Sequence, residues 1–293
     1  MQVRRFCKKY GVSIVAMMML MVTVWKIIQP DAQIEKKNSV NHTLAIIVPF
    51  RDRFTNLLFF LPHMHNYLNQ KGISHTFYII NQADDFRFNR GSLLNVGVKE
   101  SDLMENHYFE STFSKWTMSL PPSQMIALHD VDLLPTSNNL KYEHFGKFPY
   151  HLIPHWMHPQ YYNYPKYIGG AMIISRQSFN LVNGFSNRYW GWGREDDEFG
   201  LRLKEANLNI LSDRKPPTVV SKFQHLHSKA NKRERSPADL RAIVRRDHAS
   251  GLNTTKYTVL SRIKSEIGNV VTWIINVRLE CDVLITPNCR SDS

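Results

Sequence analysis

Four consecutive carboxylates follow a pair of tryptophans in the second half of the chain. The run reads Trp190-Gly191-Trp192-Gly193-Arg194-Glu195-Asp196-Asp197-Glu198. Acidic residues favour the positive end of a helix dipole, so the cluster could simply begin a helix. Four acids exceed what helix capping requires, however, and the aromatic faces could form a floor for a sugar ring. We therefore treat this stretch as a candidate site.

Two further motifs have the spacing expected of metal ligands. In Asp130-Val131-Asp132 and in His225-Leu226-His227, the outer residues are two positions apart, so in an extended segment they point to the same side. Both patterns also occur by chance, the first in loops and the second on surfaces. Carboxylate oxygens suit Mg²⁺ or Mn²⁺ bridging a diphosphate, and added imidazole nitrogens favour Mn²⁺.

Arginine and aromatic residues in two other segments could bind a nucleotide. Arg51 and Arg53 lie close together, and Phe88-Asn89-Arg90 could add stacking, hydrogen bonds and positive charge. The chain has no glycine-rich phosphate loop and no G-x-G-x-x-G motif, which argues against P-loop and dinucleotide-binding sites. The basic run 229–246 is typical of a solvated face, although it could also contact a diphosphate or an acidic acceptor.

Four tyrosines are gathered in Tyr161-Tyr162-Asn163-Tyr164-Pro165-Lys166-Tyr167, just before Gly169-Gly170. Tyrosine can stack on a sugar and hydrogen-bond its edge, but packing in the core is equally ordinary. We expect Tyr162, Tyr164 and Tyr167 to be partly exposed.

The elements that would position these motifs alternate between strands and helices. Strands are predicted at 44–49, 76–80, 125–128, 167–175 and 218–227, and helices at 54–69, 90–100, 177–183, 195–207 and 236–250. This alternation predicts an α/β fold with a largely parallel sheet flanked by helices. Ligands of such sheets bind at the carboxyl ends of the strands, where residues 49–53 and 129–132 would lie.

The N-terminus predicts a membrane anchor. A basic segment, 1–11, precedes an apolar run, 12–28, with no cleavage site after it, so we expect a cytoplasmic tail and a retained transmembrane signal anchor. Residues 29–43 would form a short lumenal stem, and 44–293 one lumenal catalytic domain. A buried core helix is the alternative for 12–28, but the run has no polar face.

Charge, cysteines and sequons are consistent with that topology. The net charge of +12 permits acidic partners such as nucleotides or glycans, and the anchor disfavours nucleic acid. Cys281 and Cys289 would share the oxidising compartment and can pair. Asn41 and Asn253 begin glycosylation sequons that are usable only on the lumenal side.

In combination, these motifs resemble the β-1,4-galactosyltransferase family from about Leu44 to Cys289. The similar segments occur in the family's order: residues 48–53, 88–90, 130–132, 169–170 and 190–198. His225-Leu226-His227 and the tyrosine segment are similar to the xylosylprotein β-1,4-galactosyltransferase branch, which acts in the glycosaminoglycan linker.

The resemblance implies a GT-A fold, Mn²⁺, UDP-galactose as donor, and xylose on proteoglycan core proteins as acceptor. It also implies a single-pass type II protein of the Golgi membrane. The implied metal ligands are Asp132, His225 and His227. The implied donor residues are Pro49, Phe50, Arg51, Asp52, Arg53, Phe88, Asn89, Arg90, Asp130, Val131, Trp192 and Arg233. The implied acceptor residues are Tyr162, Tyr164, Tyr167, Arg194, Glu195 and Asp197.

The implied reaction is an inverting transfer in which Asp196 acts as the base toward the xylose 4-hydroxyl. Two alternatives stay open. One is a galactosyl- or N-acetylgalactosaminyltransferase that acts on N-acetylglucosamine. The other is a non-enzymatic lumenal lectin or chaperone, which would have no need of a base.

Overall fold

The computed structural model describes residues 43–112, 124–144, 146–158, 163–215, 222–227, 234–236 and 245–290. The predicted tail 1–11, the anchor 12–28 and nearly all of the stem 29–43 lie outside these ranges. No helix within them is long and apolar enough to cross a bilayer.

The described elements alternate along the chain, as the sequence predicts. The strands are β1 (Leu44–Phe50), β2 (His75–Gln82), β3 (Met125–His129), β4 (Leu133–Pro135), β5 (Tyr150–His151), β6 (Ala171–Ser175), β7 (Leu211–Ser212), β8 (Phe223–His225), β9 (Tyr257–Ile267) and β10 (Val270–Leu279). The helices are α1 (Phe54–Gln70), α2 (Arg90–Thr112), α3 (Arg176–Leu181) and α4 (Glu195–Glu205).

Eight strands form one sheet in the order β7-β5-β6-β3-β1-β2-β10-β9. The sheet is mixed, so the prediction of a largely parallel sheet was wrong in this respect. Strands β1, β2, β3 and β10 pair in parallel, whereas β6 pairs antiparallel with both β3 and β5. Strands β9 and β10 form a hairpin whose two-residue turn, Gly268-Asn269, has positive φ at both positions, as a type I′ turn requires.

Apolar residues cover both faces of the sheet. Along β1, Ile46 and Val48 join a cluster with the buried side of α1, whereas Ala45 and Ile47 join a second cluster with α2, α3 and α4. Because successive side chains of a strand point to opposite faces, a strand buried on both faces is continuously apolar. The core therefore has two parts, one on each side of the sheet.

The carboxyl ends of β1, β2 and β3 meet at one edge, which brings together the segments that follow them. The backbone N–H of Arg87, in the segment after β2, donates to the carbonyl of Cys289 at 2.8 Å. Cys281 and Cys289 form a disulfide, as the sequence allowed. The covalently closed tail after β10 therefore supports the segment in which Phe88 and Arg90 lie.

Candidate functional site

Asp132, His225 and His227 meet where the short strands β4 and β8 pair. Leu133 stands opposite His225 in this antiparallel ladder, and the N–H of Leu226 donates to the carbonyl of Asp132 at 2.7 Å. The Oδ2 atom of Asp132 lies 3.3 Å from Nε2 of His225 and 3.8 Å from Nδ1 of His227. All three side chains are largely buried. A strand pairing between segments some 90 residues apart thus brings the two predicted motifs together.

The three groups suit a divalent transition ion by their chemistry. One carboxylate oxygen and two imidazole nitrogens form a ligand set that Mn²⁺ accepts more readily than Mg²⁺ does. The two imidazole rings are stacked, with their centroids 5.6 Å apart, so both can face one point. No group of three or more His, Cys, Asp or Glu residues in the described ranges already has the geometry of a closed metal cluster.

Arg90 links the first motif to the acidic cluster. Its Nε donates to Oδ1 of Asp130 at 2.7 Å, and its NH1 group lies 3.5 Å from Oε1 of Glu195. The Asp130 backbone N–H donates in turn to the carbonyl of Gly170. This partly buried ion-pair chain joins the end of β3, the start of α2 and the start of α4. It presents carboxylate oxygens and a guanidinium group, which can hydrogen-bond hydroxyl groups of a ligand.

Asp196 lies on the first turn of α4 with its carboxylate packed against Gly169. A Cβ atom on Gly169 would lie only 2.5 Å from Oδ2 of Asp196, so this position has no room for a side chain. Burial, followed by the negative charges of Glu195 and Asp197, raises the pKa of Asp196 to about 8. A carboxylate whose pKa lies near neutrality is suited to accept and release a proton.

Asp197 forms a compact cluster with Tyr164 and Arg194. The Tyr164 hydroxyl lies 2.8 Å from both carboxylate oxygens of Asp197, and Arg194 binds the same carboxylate at 2.9 Å. Arg194 also donates to the Tyr164 hydroxyl and places its guanidinium 5.2 Å from the ring centre. Burial and the hydrogen bond with Asp197 raise the pKa of Tyr164, so its hydroxyl stays protonated. The half-buried cluster presents a phenol, a carboxylate and a cation together.

Tyr167 is buried, so the prediction that it is partly exposed was wrong. Its ring packs against the rings of His151 and His158, with centroids 5.7 and 5.1 Å away, inside the core on the α1 side of the sheet. The chain turns after Tyr164, whose carbonyl accepts from the Tyr167 N–H, and this turn directs the ring inward. Tyr164 is half-buried, and Tyr162 lies outside the described residues.

The two tryptophans have different environments. Trp190 is buried edge-on against Phe86, whereas Trp192 is 37 % exposed and is the one that a ligand can reach. Gly191 has φ +85°, and a Cβ there would lie 2.8 Å from the backbone nitrogen of Ser236. Trp192 forms a parallel bridge with Arg235, which holds this tryptophan loop against residues 234–236.

The predicted donor residues around the ends of β1 and β2 are brought together. Arg51 donates to the carbonyl of Phe86 at 2.5 Å, and its guanidinium lies 5.5 Å from the centre of the Phe88 ring. Asn89 is fully buried and caps α2, because its Oδ1 accepts from the Ser92 N–H. The polar atoms of Asn89 are therefore engaged within the protein, and its part in donor binding stays a prediction.

The remaining predicted site residues differ in their exposure to solvent. Pro49 and Val131 are buried; Phe50 and Arg53 are half-buried; Asp52 is exposed with φ +53°. Arg233 and the first sequon residue, Asn41, lie outside the described residues.

Sequence reasoning did not assign two features of the site. The Gly-Gly pair could have suggested a close contact at Gly169, but the sequence does not indicate that the Asp196 carboxylate packs against this residue. The link from Arg90 to Glu195 also depends on long-range contacts. Both features arise where the ends of β3, α2 and α4 converge.

The chain is similar to known galactosyltransferases over most of its length. Residues 25–144 match the family model for the N-terminal region of glycosyl transferase group 7, and residues 151–229 match that for the N-terminal domain of galactosyltransferase. The chain is 43 % identical to β-1,4-galactosyltransferase 7 of Mus musculus over 251 residues, which is 85 % of this chain and 71 % of that protein. It is 38 % identical to the xylosylprotein 4-β-galactosyltransferase of Caenorhabditis elegans, with 85 % and 83 % covered.

Two solved structures of Drosophila β-1,4-galactosyltransferase 7 are similar to this fold with TM-scores of 0.74. One is the catalytic domain in complex with xylobiose, at 38 % identity, and the other is a mutant in complex with manganese, UDP-Gal and xylobiose, at 37 % identity. In both cases the match covers 86 % of this chain and 100 % of the other.

Proposed function

This chain belongs to the β-1,4-galactosyltransferase family, and we propose that it transfers galactose from UDP-galactose to the 4-hydroxyl of xylose in a Mn²⁺-dependent, inverting reaction. The observation that carries the proposal is the convergence of the Asp132, His225 and His227 side chains beside the acidic start of α4. The relatives' names and the bound xylobiose support xylose as the acceptor sugar.

Asp132, His225 and His227 are the residues that would hold Mn²⁺. When bound there, the ion would offset the negative charge of the UDP diphosphate as the bond to galactose breaks. Arg51 and Phe88 lie at the adjoining edge and would receive the uridine end of the donor. Asp130 and Arg90, joined by their ion pair, would hydrogen-bond the donor near its sugar.

Asp196 would act as the general base. As the xylose O4 attacks the anomeric carbon, its proton passes to the Asp196 carboxylate, and the bond between galactose and the UDP oxygen breaks. Attack from the face opposite UDP inverts the anomeric carbon and gives the β-1,4 linkage. With a pKa near 8, Asp196 needs little free energy to switch between its protonated and ionised forms near neutral pH.

The Tyr164, Asp197 and Arg194 cluster would orient the xylose. Its phenol and carboxylate are held at fixed positions by mutual hydrogen bonds, so neither needs to become ordered when the acceptor binds. Trp192, exposed beside them, offers an aromatic face to a sugar ring. Glu195, buried and paired with Arg90, would be a further acceptor contact in the same acidic run.

We further propose that the catalytic domain lies in the Golgi lumen, anchored by residues 12–28 as a single-pass type II protein, and that its acceptors are xylosylated proteoglycan core proteins. This topology rests on the apolar run and the basic residues before it, together with the relatives' activity.

A direct test uses the purified protein with UDP-galactose, Mn²⁺ and either a β-xyloside or a β-N-acetylglucosaminide. We expect transfer to the xyloside, no comparable transfer to the glucosaminide, and loss of activity when EDTA removes the metal. The reverse acceptor preference would favour the N-acetylglucosamine alternative, and binding without transfer would favour a lectin.

The base is tested by Asp196→Asn, with Glu205→Gln, an exposed acid of the same helix, as control. Asp196→Asn should reduce turnover by at least about 1,000-fold while Mn²⁺-dependent UDP binding persists. The control should keep both. Wild-type turnover in Asp196→Asn would remove Asp196 from this role.

A further inference from the structure

The second sequon, Asn253-Thr254-Thr255, lies in the 3₁₀ turn Leu252–Thr254 and the residue that follows it, just before β9. Asn253 is exposed, whereas Thr255 is only 7 % exposed. The backbone N–H of Asn253 donates to the Asn183 side chain at 2.9 Å, which fixes the turn but leaves the Asn253 amide at the surface. The two residues on which a sequon depends therefore have opposite environments.

The Thr255 hydroxyl is part of a buried amide network. It accepts from Nδ2 of Asn95 at 3.2 Å and lies 2.9 Å from the carbonyl of Gly251 and 3.0 Å from Oδ1 of Asn187, to either of which it can donate. Asn95 is fully buried and binds the backbone of Phe185 through both ends of its amide. The hydroxyl thus helps to hold the segment that leads to the tryptophan loop.

Asn187 extends the network toward the candidate active site. Its carbonyl accepts from Asn89, the cap of α2, and its Oδ1 accepts from Ser92. Its Nδ2 donates to the carbonyl of Gly251 at 2.8 Å. These contacts join the start of α2 to the turn that carries the sequon. Exposing the Thr255 hydroxyl to an external enzyme would therefore require this network to open.

We propose that Asn253 carries an N-linked glycan and that the glycan is attached before this part of the domain folds. The sequon is read through both its asparagine and the hydroxyl two residues later, and the folded chain offers only the first. The proposal rests on the lumenal topology proposed above. The exposed Asn253 amide can carry the glycan in the folded protein without displacing a buried group.

In the reaction, the side-chain nitrogen of Asn253 attacks the first sugar carbon of an oligosaccharide linked to a lipid pyrophosphate. A nitrogen–carbon bond forms, the bond from that carbon to the phosphate oxygen breaks, and the amide nitrogen gives up one proton. The lipid pyrophosphate is the leaving group. No oxidant or reductant is needed.

Occupancy is tested by producing the full chain in cells with a secretory pathway, with a C-terminal tail that carries an additional sequon. Peptide mass spectrometry after enzymatic glycan removal should find both Asn253 and the tail modified, and Thr255→Ser should keep the modification. Asn253→Gln and Thr255→Val should both lose it. Only Thr255→Val should also lower the melting temperature, because it removes the hydroxyl from the buried network.

The other outcomes contradict either the use of Asn253 or the topology on which it depends. A modified tail with an unmodified Asn253 would show that the site is not used. An unmodified tail would refute the lumenal topology on which the site depends. Transfer of galactose to a β-xyloside is measured separately on the same preparations, so a failure of the proposed function is distinguished from a failure of the site.

The order of events is tested by offering two substrates to the solubilised glycan-attaching enzyme and its lipid-linked donor. One is the native, unglycosylated full chain, and the other is a synthetic peptide of residues 249–258, which cannot form the buried network. The peptide should be modified at Asn253 at least about ten times faster. Equal rates would refute attachment before folding.

Discussion

Replacing Glu198 by glutamine tests whether the last acid of the cluster is structural. The Glu198 carboxylate and the Arg202 guanidinium are both fully buried, with Arg202 Nε 2.8 and 3.0 Å from the two carboxylate oxygens. The same carboxylate also accepts from the N–H of Asp247 at 2.9 Å and lies 3.3 Å from Arg246. Four donor contacts thus converge on one buried anion.

The expected cost follows from that geometry. Glutamine offers one acceptor oxygen, and in either orientation its NH2 group would face the Arg202 donor, because Nε of Arg202 contacts both carboxylate oxygens. The neutral side chain would also leave the fully buried Arg202 with the Asp247 carboxylate, 4.0 Å away, as its nearest remaining counter-charge. Breaking one side of a buried ion pair costs about 3–5 kcal/mol of unfolding free energy. For a protein of this size, a loss of about 3 kcal/mol lowers the melting temperature by roughly 6–12 °C.

The assay is urea unfolding followed by tryptophan fluorescence, with Glu205→Gln as the matched control. Glu205 lies on the same helix and binds the same Arg246 at 2.9 Å, but its side chain is 51 % exposed. An exposed pair contributes at most about 1 kcal/mol. If Glu198→Gln destabilises the protein by no more than the control does, the buried pair does not anchor α4.

Three further predictions concern the site and its pH dependence. Gly169→Ala should reduce kcat by about 100-fold with UDP binding retained, because its Cβ would displace the Asp196 carboxylate; an unchanged kcat would contradict this packing. The value of kcat/KM should increase with pH as Asp196 loses its proton near pH 8. Glu195→Gln removes a neighbouring negative charge and should move this rise to lower pH. A rise at the wild-type pH would refute the electrostatic interaction between Glu195 and Asp196. Burial lowers the pKa of both His129 and His151 to about 4, so between pH 6.5 and 4 the unfolded state binds more protons than the folded state does. As the pH falls through this window, the free energy of unfolding should decrease by up to about 3 kcal/mol for each histidine. His151→Gln should therefore flatten the dependence of the urea midpoint on pH, and an unchanged slope would exclude His151 as a cause.

The arrangement within each of the Asp-Val-Asp and His-Leu-His motifs could be predicted from the sequence because it depends on local rules. A carboxylate pair after an apolar strand and a histidine pair at the end of another each place alternate side chains on one side, wherever the strands lie. That these two sites meet depends on the pairing of β4 with β8, which brings Leu133 opposite His225. A three-residue strand has no distinctive pattern, so the family resemblance carried this part of the prediction.

Other features could not be predicted because tertiary contacts decide them. The sequence of β9 and β10 alternates only partly, and the hairpin was not identified despite its Gly-Asn turn. The helix predicted for 236–250 was wrong in its described part, since residues 245–250 are not helical. There the Asp247 side chain accepts from the N–H groups of Ala249 and Ser250, an arrangement that competes with helical hydrogen bonding. The burial of Tyr167 likewise depends on its packing against the rings of His151 and His158.

Arginine charges compensate the four carboxylates at the start of α4 to different extents. Three of the acids pair with different arginines: Glu195 with Arg90, Asp197 with Arg194 and Glu198 with Arg202. Within the described part of the chain, Asp196 alone among the four has no cation within ion-pair distance, and its Oδ1 accepts only from the Asp197 N–H. Burial first, and then the negative charges of Glu195 and Asp197, raise the pKa of Asp196, and no arginine of the described residues lies within ion-pair distance to offset them. Burial and the lack of an arginine partner within the described ranges thus act together to make Asp196 the carboxylate of this run whose pKa lies near neutral pH.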